Sequence, residues 1–236
     1  MTNYVLVHGA WHGGWCYARV ADRLRAKGHR VFTPTLAGLG ERSHEFGGHI
    51  NLSTHIADVV NVITWERLDN VVLLGHSYGG MVITGAADAV ADKISTLVYL
   101  DAMIPSDGQS VFDMVPPEIL KAQIDGAAAH GGFGIPPTSA AAFEVNEKDR
   151  EWVDTLCTPH PIGCQSERIK LTGAHLRVRN KVFVLAANWG NGRGFRRYRD
   201  MAKAQPGWTV LEMPCGHDAM IDMPDELTEI LLKSAN

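Results

Sequence analysis

The amino-acid sequence has 236 residues, of which 45% are hydrophobic and 20% charged, and its formal net charge is -4 at pH 7. This composition is typical of one globular domain with a sizeable core. The slightly acidic balance excludes the basic surface field that binds nucleic acids and a polybasic membrane anchor. We therefore expect a small-molecule partner, with no nucleic acid and no membrane.

The start of the chain and its cysteines bear on the compartment. The first residues lead directly into the apolar stretch YVLV without a charged leader, and no apolar run reaches the roughly 18 residues of a membrane span. The four cysteines form no CxxC pair and are most simply free thiols in a reducing compartment: Cys16, Cys157, Cys164 and Cys215. We expect a cytoplasmic protein, and either a monomer or a homodimer fits this composition.

Short apolar, β-branched runs alternate with helical patterns along the chain. The predicted strands cover residues 4–7, 30–34, 70–74, 95–100, 181–185 and 208–213. Helical patterns cover residues 15–27, 53–66, 80–90, 195–204 and 224–233, and Ser53 or Thr54 is expected to cap the second of these helices. The alternation predicts an α/β fold, with a mostly parallel sheet of about six strands and helices on both faces.

One stretch of about 75 residues, between Met103 and Val178, interrupts this alternation. It is rich in alanine, glycine and proline, and it shows helical pieces at 118–129 and 147–156 without strands. A structureless loop of this length is improbable in a compact domain. We therefore expect residues 103–178 to form a helical lid inserted between the two parts of the core, residues 1–102 and 179–236.

A glycine-flanked serine follows the third predicted strand. The stretch VVLLGHSYGGMVITGAADAV has the order strand, tight turn, helix, in which the GxSxG pattern is typical of a nucleophile elbow. In such a turn Ser77 takes a strained conformation that presents its hydroxyl, while Gly75 and Gly79 leave room where strand and helix approach. We expect Ser77 to be a nucleophile; the alternative is a chance match in a glycine-rich turn.

A serine hydroxyl needs a general base, and position in the chain selects one of the eleven histidines. His217 lies in the loop of VLEMPCGHDAM, at the carboxyl end of the sheet after the last predicted strand. The side chain of His76 is expected to point away from the elbow, and His8 and His12 to shape the first loop. No metal site is expected, because neither HGAWH nor HEFGGH has the HExxH spacing on a helix.

Two backbone amides are candidates for an oxyanion hole. The N–H of Tyr78 lies at the start of the helix that follows the serine. The loop VHGAWHGGW contains glycines that let backbone N–H groups face the site, and Ala10 is the expected second donor. The alternative for this loop is a turn that selects glycine only for its conformation.

Five motifs together resemble those of the α/β-hydrolases: FTPTLAGLGER, HGAWHGGW, GHSYGG, LVYLDAMIPSDGQS and the terminal GHDAM. Over nearly its whole length the chain is similar to the branch of plant methyl esterases, hydroxynitrile lyases and small bacterial carboxylesterases, including pyrethroid and carbamate-type pesticide hydrolases. The resemblance implies an α/β-hydrolase fold and ester hydrolysis, and it implies no cofactor and no metal. It also implies that Ser77 and His217 are catalytic and that Ala10 and Tyr78 line the oxyanion hole.

The acidic residue of the site departs from the pattern of these relatives. Plant relatives have an aspartate just after the penultimate strand, where this chain reads VLAANWGNGRGF without a carboxylate. Asp101 ends the preceding strand, and some hydrolases of this fold use that position, so we expect Asp101 to orient His217. Alternatively Asp101 only caps a turn, and Asn188 or Asn191 orients the ring. Asp218 is poorly placed to reach it.

These residues predict two-step acyl transfer, in which an ester of the serine forms and is then hydrolysed. The expected substrate is a moderately sized hydrophobic ester, bound in a pocket that includes Trp11, Met103, Phe112 and Trp152. Amide or carbamate cleavage stays open, because the same tetrahedral intermediate serves those bonds. The alternatives from other classes are a non-catalytic binding protein and a hydroxynitrile lyase.

Overall fold

A parallel sheet positions the loops of the molecule. The computed structural model describes residues 1–192 and 195–235, with the backbone alone at residues 191 and 192. Its strands are β1 (Asn3–Val7), β2 (Arg30–Phe32), β3 (Val71–His76), β4 (Ile94–Leu100), β5 (Gly134–Ile135), β6 (His160–Pro161), β7 (Asn180–Ala186) and β8 (Trp208–Met213). Six of them form the parallel sheet in the order β2-β1-β3-β4-β7-β8, which confirms the predicted fold class. β2 ends at Phe32 rather than at residue 34, since Pro34 lacks the N–H that a ladder needs.

Helices pack on both faces of this sheet. In the described residues they are α1 (Ala18–Ala26), α2 (Leu52–Trp65), α3 (Gly79–Ala89), α4 (Val111–Met114), α5 (Pro117–Ala129), α6 (Arg150–Leu156), α7 (Ile162–Ser166), α8 (Arg196–Lys203), α9 (Ala219–Asp222) and α10 (Pro224–Ser234). The prediction that Ser53 or Thr54 caps α2 is wrong. The Asn51 side chain is the cap and accepts the Thr54 N–H at 3.0 Å, because Thr54 occupies the third helical position of a capping box. None of the helices within the described ranges has the length and apolar character to cross a membrane.

Strand β3 shows how the sheet is buried. All six of its residues are buried, as expected of a parallel sheet that is covered on both faces. Val71 and Leu73 face the layer of α2 and α3, whereas Val72 and Leu74 face the layer of α1 and α10. Because the six strands run parallel, their carboxyl ends lie at one edge of the sheet, where the loops that follow them meet.

The segment between β4 and β7 is not purely helical. It contains α4 to α7, but also β5 and β6, which pair antiparallel through Gly134 with Pro161 and Ile135 with His160. The expectation of a segment without strands is therefore wrong. Strands of two residues show no alternation that the sequence could reveal, and these partners lie far apart in the chain. The division of the chain at residues 103 and 178 into core and lid stays a prediction.

A charged contact ties this segment to the core. Arg19 of α1 donates hydrogen bonds of 2.7 Å to both carboxylate oxygens of Asp149, and one of 3.0 Å to the Ile221 carbonyl. The hydrogen bond from Arg19 lowers the pKa of Asp149 to about 2, and burial opposes this only in part. The carboxylate therefore stays charged, and paired with Arg19, at neutral and mildly acidic pH.

We expect Asp149→Asn to lower the free energy of unfolding at pH 7 by about 1.5–3 kcal/mol, the range for hydrogen bonds to charged groups. Because the pKa of Asp149 is lower in the folded than in the unfolded protein, its contribution is complete above about pH 4 and is lost as the pH falls toward 2. Urea unfolding at pH 7 and pH 3 measures both effects. Asp22→Asn, at an exposed carboxylate of α1, is the control. Equal midpoints of wild type and Asp149→Asn at pH 7 would contradict the prediction.

Candidate active site

Three of the predicted site residues lie together at the carboxyl edge of the sheet. Ser77 directly follows β3 and Asp101 directly follows β4, and these two strands are neighbours with His76 opposite Leu100. The Ser77 N–H donates to the Leu100 carbonyl at 3.2 Å, so the strand ends stay in register up to the serine. His217 lies in the loop after β8 and reaches the same edge, where its ring bonds to Asp101.

The turn after β3 has the geometry of a nucleophile elbow. Ser77 has a φ of 55°, in the left-handed region that residues other than glycine rarely adopt. Close backbone approach requires the flanking glycines. A Cβ on Gly75 would lie 2.5 Å from the Gly79 carbonyl oxygen, and a Cβ on Gly79 would lie 2.8 Å from that of His8. The turn thus presents a half-buried Ser77 side chain at the sheet edge.

His217 and Asp101 form a buried, hydrogen-bonded pair. The Nδ1 of His217 donates to the Asp101 Oδ2 at 2.6 Å, and the Oδ1 accepts the Ala186 N–H at 3.2 Å. Burial raises the pKa of Asp101, while the hydrogen bonds from His217 and Ala186 oppose the rise. Because Nδ1 is bound to the carboxylate, Nε2 is the nitrogen of His217 that is left for Ser77.

Three aromatic side chains enclose the ring of His217. Trp189 stacks on it with ring centroids 4.1 Å apart, and the centroids of Phe195 and Phe143 lie 5.4 and 5.3 Å away. The segment between β4 and β7 supports this arrangement. The His217 N–H donates to the Phe143 carbonyl at 2.9 Å, and the Trp189 indole donates to the Ala142 carbonyl at 3.0 Å. The plane of the imidazole is therefore held by packing as well as by its hydrogen bond.

The first loop and the elbow each present one of the predicted oxyanion donors. A Cβ on Gly9 would lie 3.0 Å from the Ser77 Cβ, so the backbone that leads into Ala10 lies against the serine. Within residues 1–192 and 195–235, neither the Ala10 N–H nor the Tyr78 N–H donates to a protein acceptor. Tyr78 caps α3, where backbone N–H groups have no partner in the helix itself. Both amides are therefore available to an oxyanion.

Two of the predicted pocket residues border this arrangement. Trp11 follows Ala10 with a φ of 66°, and its ring lies 5.9 Å from that of Phe143. Met103 is buried, and its N–H donates to the Ser77 carbonyl at 3.1 Å. The role of both residues as substrate contacts stays a prediction.

The other two predicted pocket residues lie in the segment between β4 and β7. Phe112 is a half-buried residue of α4. Trp152 of α6 contacts Trp15 edge to face, with centroids 5.2 Å apart, and lies 5.0 Å from the Arg19 guanidinium. These contacts make Trp152 an anchor of the segment on the core. Its role in a substrate pocket, like that of Phe112, stays a prediction.

Asp101 is the carboxylate that bonds to the His217 ring in the described part of the chain. The Asn188 side chain, an alternative from the sequence, is exposed. The side chain of Asn191, the other alternative, lies outside the described residues. Asp218 is next to the histidine in sequence, but its carboxylate bonds elsewhere. The arrangement thus brings together the serine, histidine and aspartate that the sequence singled out.

A buried group that the sequence analysis missed lies beside the Tyr78 side chain. Atoms of His55, His160 and Cys164 that could bind a metal lie within 4.8 Å of one another, and no motif links these distant positions. Both ring nitrogens of His55 are occupied, one by the Ala37 carbonyl at 2.9 Å and the other by the Tyr78 hydroxyl at 3.0 Å. A metal would have to break one of these bonds, so we assign the group to packing around Tyr78.

The chain belongs to the alpha/beta hydrolase family, whose sequence model matches residues 4–230. A carbendazim hydrolyzing esterase from Nocardioides sp. (strain SG-4G) is 47% identical over 240 residues, which cover 98% of each chain. Esterase PIR7B from Oryza sativa subsp. japonica is 29% identical and covers 99% of this chain and 96% of its own. The predicted resemblance is confirmed, and the protein is a carboxylic ester hydrolase, as the sequence predicts.

Solved structures share the whole fold. One is an extracellular alpha/beta-hydrolase from a Paenibacillus species, described as sharing structural and functional homology with tobacco salicylic acid binding protein 2. It matches with a TM-score of 0.86 at 26% identity, over 99% of both chains. The pyrethroid hydrolase PytH matches with a TM-score of 0.77 at 23% identity, over 100% of this chain and 97% of its own. At 23% identity, the similarity to PytH supports the fold alone.

Proposed function

We propose that Ser77, His217 and Asp101 hydrolyse a carboxylic ester of a moderately sized hydrophobic molecule through an acyl-enzyme. The 2.6 Å hydrogen bond from the His217 Nδ1 to the Asp101 carboxylate carries this proposal, because it leaves Nε2 at the edge where the Ser77 turn lies. A base held in one tautomer, at the same sheet edge as a half-buried serine on a strained turn, suits removal of the hydroxyl proton.

The reaction begins when the Ser77 Oγ attacks the ester carbonyl carbon and the His217 Nε2 takes the hydroxyl proton. The Asp101 carboxylate stabilises the imidazolium that forms, and the N–H groups of Ala10 and Tyr78 bind the oxyanion. The tetrahedral intermediate collapses by breaking its bond to the alcohol oxygen, which leaves with the proton from the imidazolium. Water then attacks the acyl-serine by the same steps, which releases the acid and restores the serine.

The aromatic side chains beside the catalytic ring favour a substrate with a flat, apolar group. Trp189 and Phe143 adjoin the His217 ring, and Trp11 lies beside Phe143. Aromatic pairs in offset or edge-to-face geometry contribute about 0.5–1.5 kcal/mol beyond the burial of area. An ester with an aryl group is therefore the first substrate to test.

Carbamate hydrolysis is a second candidate function. The relative that is 47% identical over 98% of the chain is named for the hydrolysis of carbendazim. A carbamate carries the same carbonyl and alcohol oxygen as a carboxylic ester, so serine attack and oxyanion binding serve both bonds. The carbamate nitrogen donates electron density to the carbonyl carbon, so we expect slower attack on carbamates than on esters.

Turnover of p-nitrophenyl esters from acetyl to octanoyl, and of p-nitrophenyl N-methylcarbamate, tests the proposal. We expect release of p-nitrophenol with an optimum in acyl length, and slower turnover of the carbamate. A fluorophosphonate should label the wild type at one serine and leave Ser77→Ala unlabelled, since the phosphorus requires an activated hydroxyl. Absence of both turnover and labelling would favour a non-catalytic binding protein.

Cyanohydrin cleavage is less compatible with this site. Hydroxynitrile lyases that resemble this chain have a threonine and a lysine where Gly9 and Asp218 stand. Asp218 is buried and bonded to His12, so it offers no positive charge to a leaving cyanide. We expect the enzyme to turn over esters and to release no cyanide from mandelonitrile.

The compartment and the assembly also belong to the proposal. All four cysteines are free thiols, which suits a reducing compartment, and we propose a cytoplasmic location. A monomer and a homodimer are both compatible with hydrolysis of a small molecule, and size-exclusion chromatography with light scattering distinguishes them.

A further inference from the structure

A second buried histidine–carboxylate pair lies next to the proposed catalytic one. The His12 Nε2 is 3.1 Å from the Asp218 Oδ2, and the two side chains are 1% and 0% exposed. His12 lies two residues after Ala10, and Asp218 directly follows His217. The pair therefore joins the loop of a proposed oxyanion donor to the loop of the proposed base.

The hydrogen bonds of His12 determine its protonation. Its Nδ1 lies 2.8 Å from the Ala10 carbonyl oxygen, and its Nε2 faces the Asp218 carboxylate, and both of these partners accept. Both bonds form together only if each ring nitrogen carries a proton. Burial alone would lower the pKa of His12, but the charge of Asp218 outweighs it, and the pKa is raised. Burial likewise disfavours the Asp218 carboxylate, yet His12 lowers its pKa to about 2.

His217 and Asp101 lie near Asp218 but are bonded to each other. Several further ionisable groups around the pair are neutral and do not replace its charge. The His76 Nε2 lies 3.7 Å from the Asp218 Oδ1, but it donates to the His217 carbonyl at 3.0 Å, and burial keeps the pKa of His76 well below its ordinary value. Burial also lowers the pKa of His8, to about 3. Burial raises the pKa of four more groups near Asp218, which stay protonated: Cys16, Tyr17, Cys157 and Cys215.

We propose that His12 and Asp218 are positioning residues for the oxyanion hole, a buried imidazolium–carboxylate pair that holds the Ala10 backbone against the elbow. The proposal rests on the proposed function of Ser77. The His12 Nδ1–H fixes the Ala10 carbonyl, which belongs to the peptide unit that follows the one carrying the Ala10 N–H. The Gly9 carbonyl of that preceding unit accepts from the His8 Nδ1 at 2.8 Å. His8 and His12 therefore hold the backbone on the two sides of the Ala10 Cα, and His12 limits its rotation on the second side. A neutral His12 has one N–H and would lose one of its two bonds to these acceptors.

Ester hydrolysis by Asp218→Ala and Asp218→Asn tests the pair. Asp218→Ala leaves His12 without its partner. We expect kcat to fall about ten- to a hundredfold with KM nearly unchanged, since misplacing a group by 1 Å costs on the order of 10²-fold. In Asp218→Asn the side-chain amide can donate to the Nε2 of a neutral His12 while Nδ1–H keeps its bond to Ala10. We therefore expect asparagine to restore part of the lost kcat.

His175 and Asp88 provide a matched control. The His175 Nδ1 lies 2.9 Å from the Asp88 Oδ1, and the side chains are 14% and 7% exposed. This pair joins α3 to the turn Ala174–Arg177, at the opposite end of α3 from Ser77. Asp88→Ala is expected to lower the Tm and to leave kcat and KM unchanged, because the pair contacts neither loop of the site.

The pH dependence of kcat distinguishes a positioning role of His12 from a purely structural one, because a purely structural role would leave the pH profile unchanged. The pKa of His12 is raised in the folded protein, so its charge is complete below its ordinary pKa and is lost as the pH rises through the raised value. We expect the wild-type kcat to decline across this alkaline transition. Asp218→Asn, in which His12 is already neutral, should lack the transition.

Nitrogen-15 NMR spectra of the histidine rings measure the protonation of His12 in the wild type directly. The ring signals of His12 are assigned by correlation with its backbone signals. We expect two protonated ring nitrogens on His12 at pH 7. One bare nitrogen, or a folded Asp218→Ala with wild-type kcat and KM, would overturn the inference. Absence of ester turnover and of fluorophosphonate labelling in the wild type would instead overturn the proposed function, since ring protonation is measured without substrate.

Discussion

Ester hydrolysis is expected to disappear in Ser77→Ala, with kcat falling by roughly 10⁴- to 10⁶-fold. Alanine keeps the Cβ but removes the oxygen that forms the acyl-enzyme, so the residual rate comes only from binding and from the oxyanion donors. The φ of 55° costs alanine and serine about the same, because the Cβ sets the steric limit. The variant should therefore stay folded, with a Tm close to that of the wild type.

Pre-steady-state release of p-nitrophenol measures this effect. The wild type should release up to one equivalent in a burst when deacylation limits turnover, and Ser77→Ala should show no burst. Ser53→Ala, at an exposed serine of α2, is the matched control and should keep wild-type kinetics. A burst from Ser77→Ala would show that another residue is the nucleophile.

Asp101→Asn should lower kcat by about 10⁴-fold. In the wild type the Asp101 Oδ1 accepts the Ala186 N–H, and the Oδ2 accepts the His217 Nδ1–H. Asparagine keeps the first bond with its amide oxygen and then points its NH₂ group at the His217 Nδ1. The ring must carry its proton on Nε2 instead, so it cannot remove the proton from Ser77.

The measurement is kcat and KM for the preferred p-nitrophenyl ester, together with the Tm of each variant. Asn188→Ala is the control, because its side chain is exposed and it should remain fully active. A folded Asp101→Asn with wild-type kcat would refute the assignment of the acid. The loop after β7, which includes Asn191, would then have to supply the partner of His217.

The features with strong local patterns are recognisable from the sequence. The four inner strands of the sheet are buried and form nearly continuous apolar runs. The edge strands β2 and β8 are more exposed, and they are predictable from β-branched residues and from their spacing between helical patterns. Ser77 lies in a short motif within a strand–turn–helix order, and His217 is the histidine that follows the last strand. Neither inference requires the distance between the two side chains.

The surroundings of the site were less accessible to sequence reasoning. Phe143 lies in an irregular part of the segment between β4 and β7, where no periodicity marks its contact with the His217 ring. Trp189 lies in the stretch VLAANWGNGRGF, whose one predictive feature is that it has no carboxylate. Trp189 follows β7, which pairs with β8, and this position is the one signal that places it near the loop of His217.

The sequence by itself determined the order of strands and helices, the elbow at Ser77 and the choice of His217, because these follow from local periodicity and turn chemistry. Strand order favoured Asp101 as the partner of His217 but left Asn188 and Asn191 open, and no pattern predicted a partner for His12. Only the tertiary structure decided these two pairings. The His217 ring bonds to Asp101, 116 residues away, rather than to its neighbour Asp218, which bonds to His12 across 206 residues. These pairings depend on where the loops meet at the edge of the sheet, which is set by the packing of the whole fold.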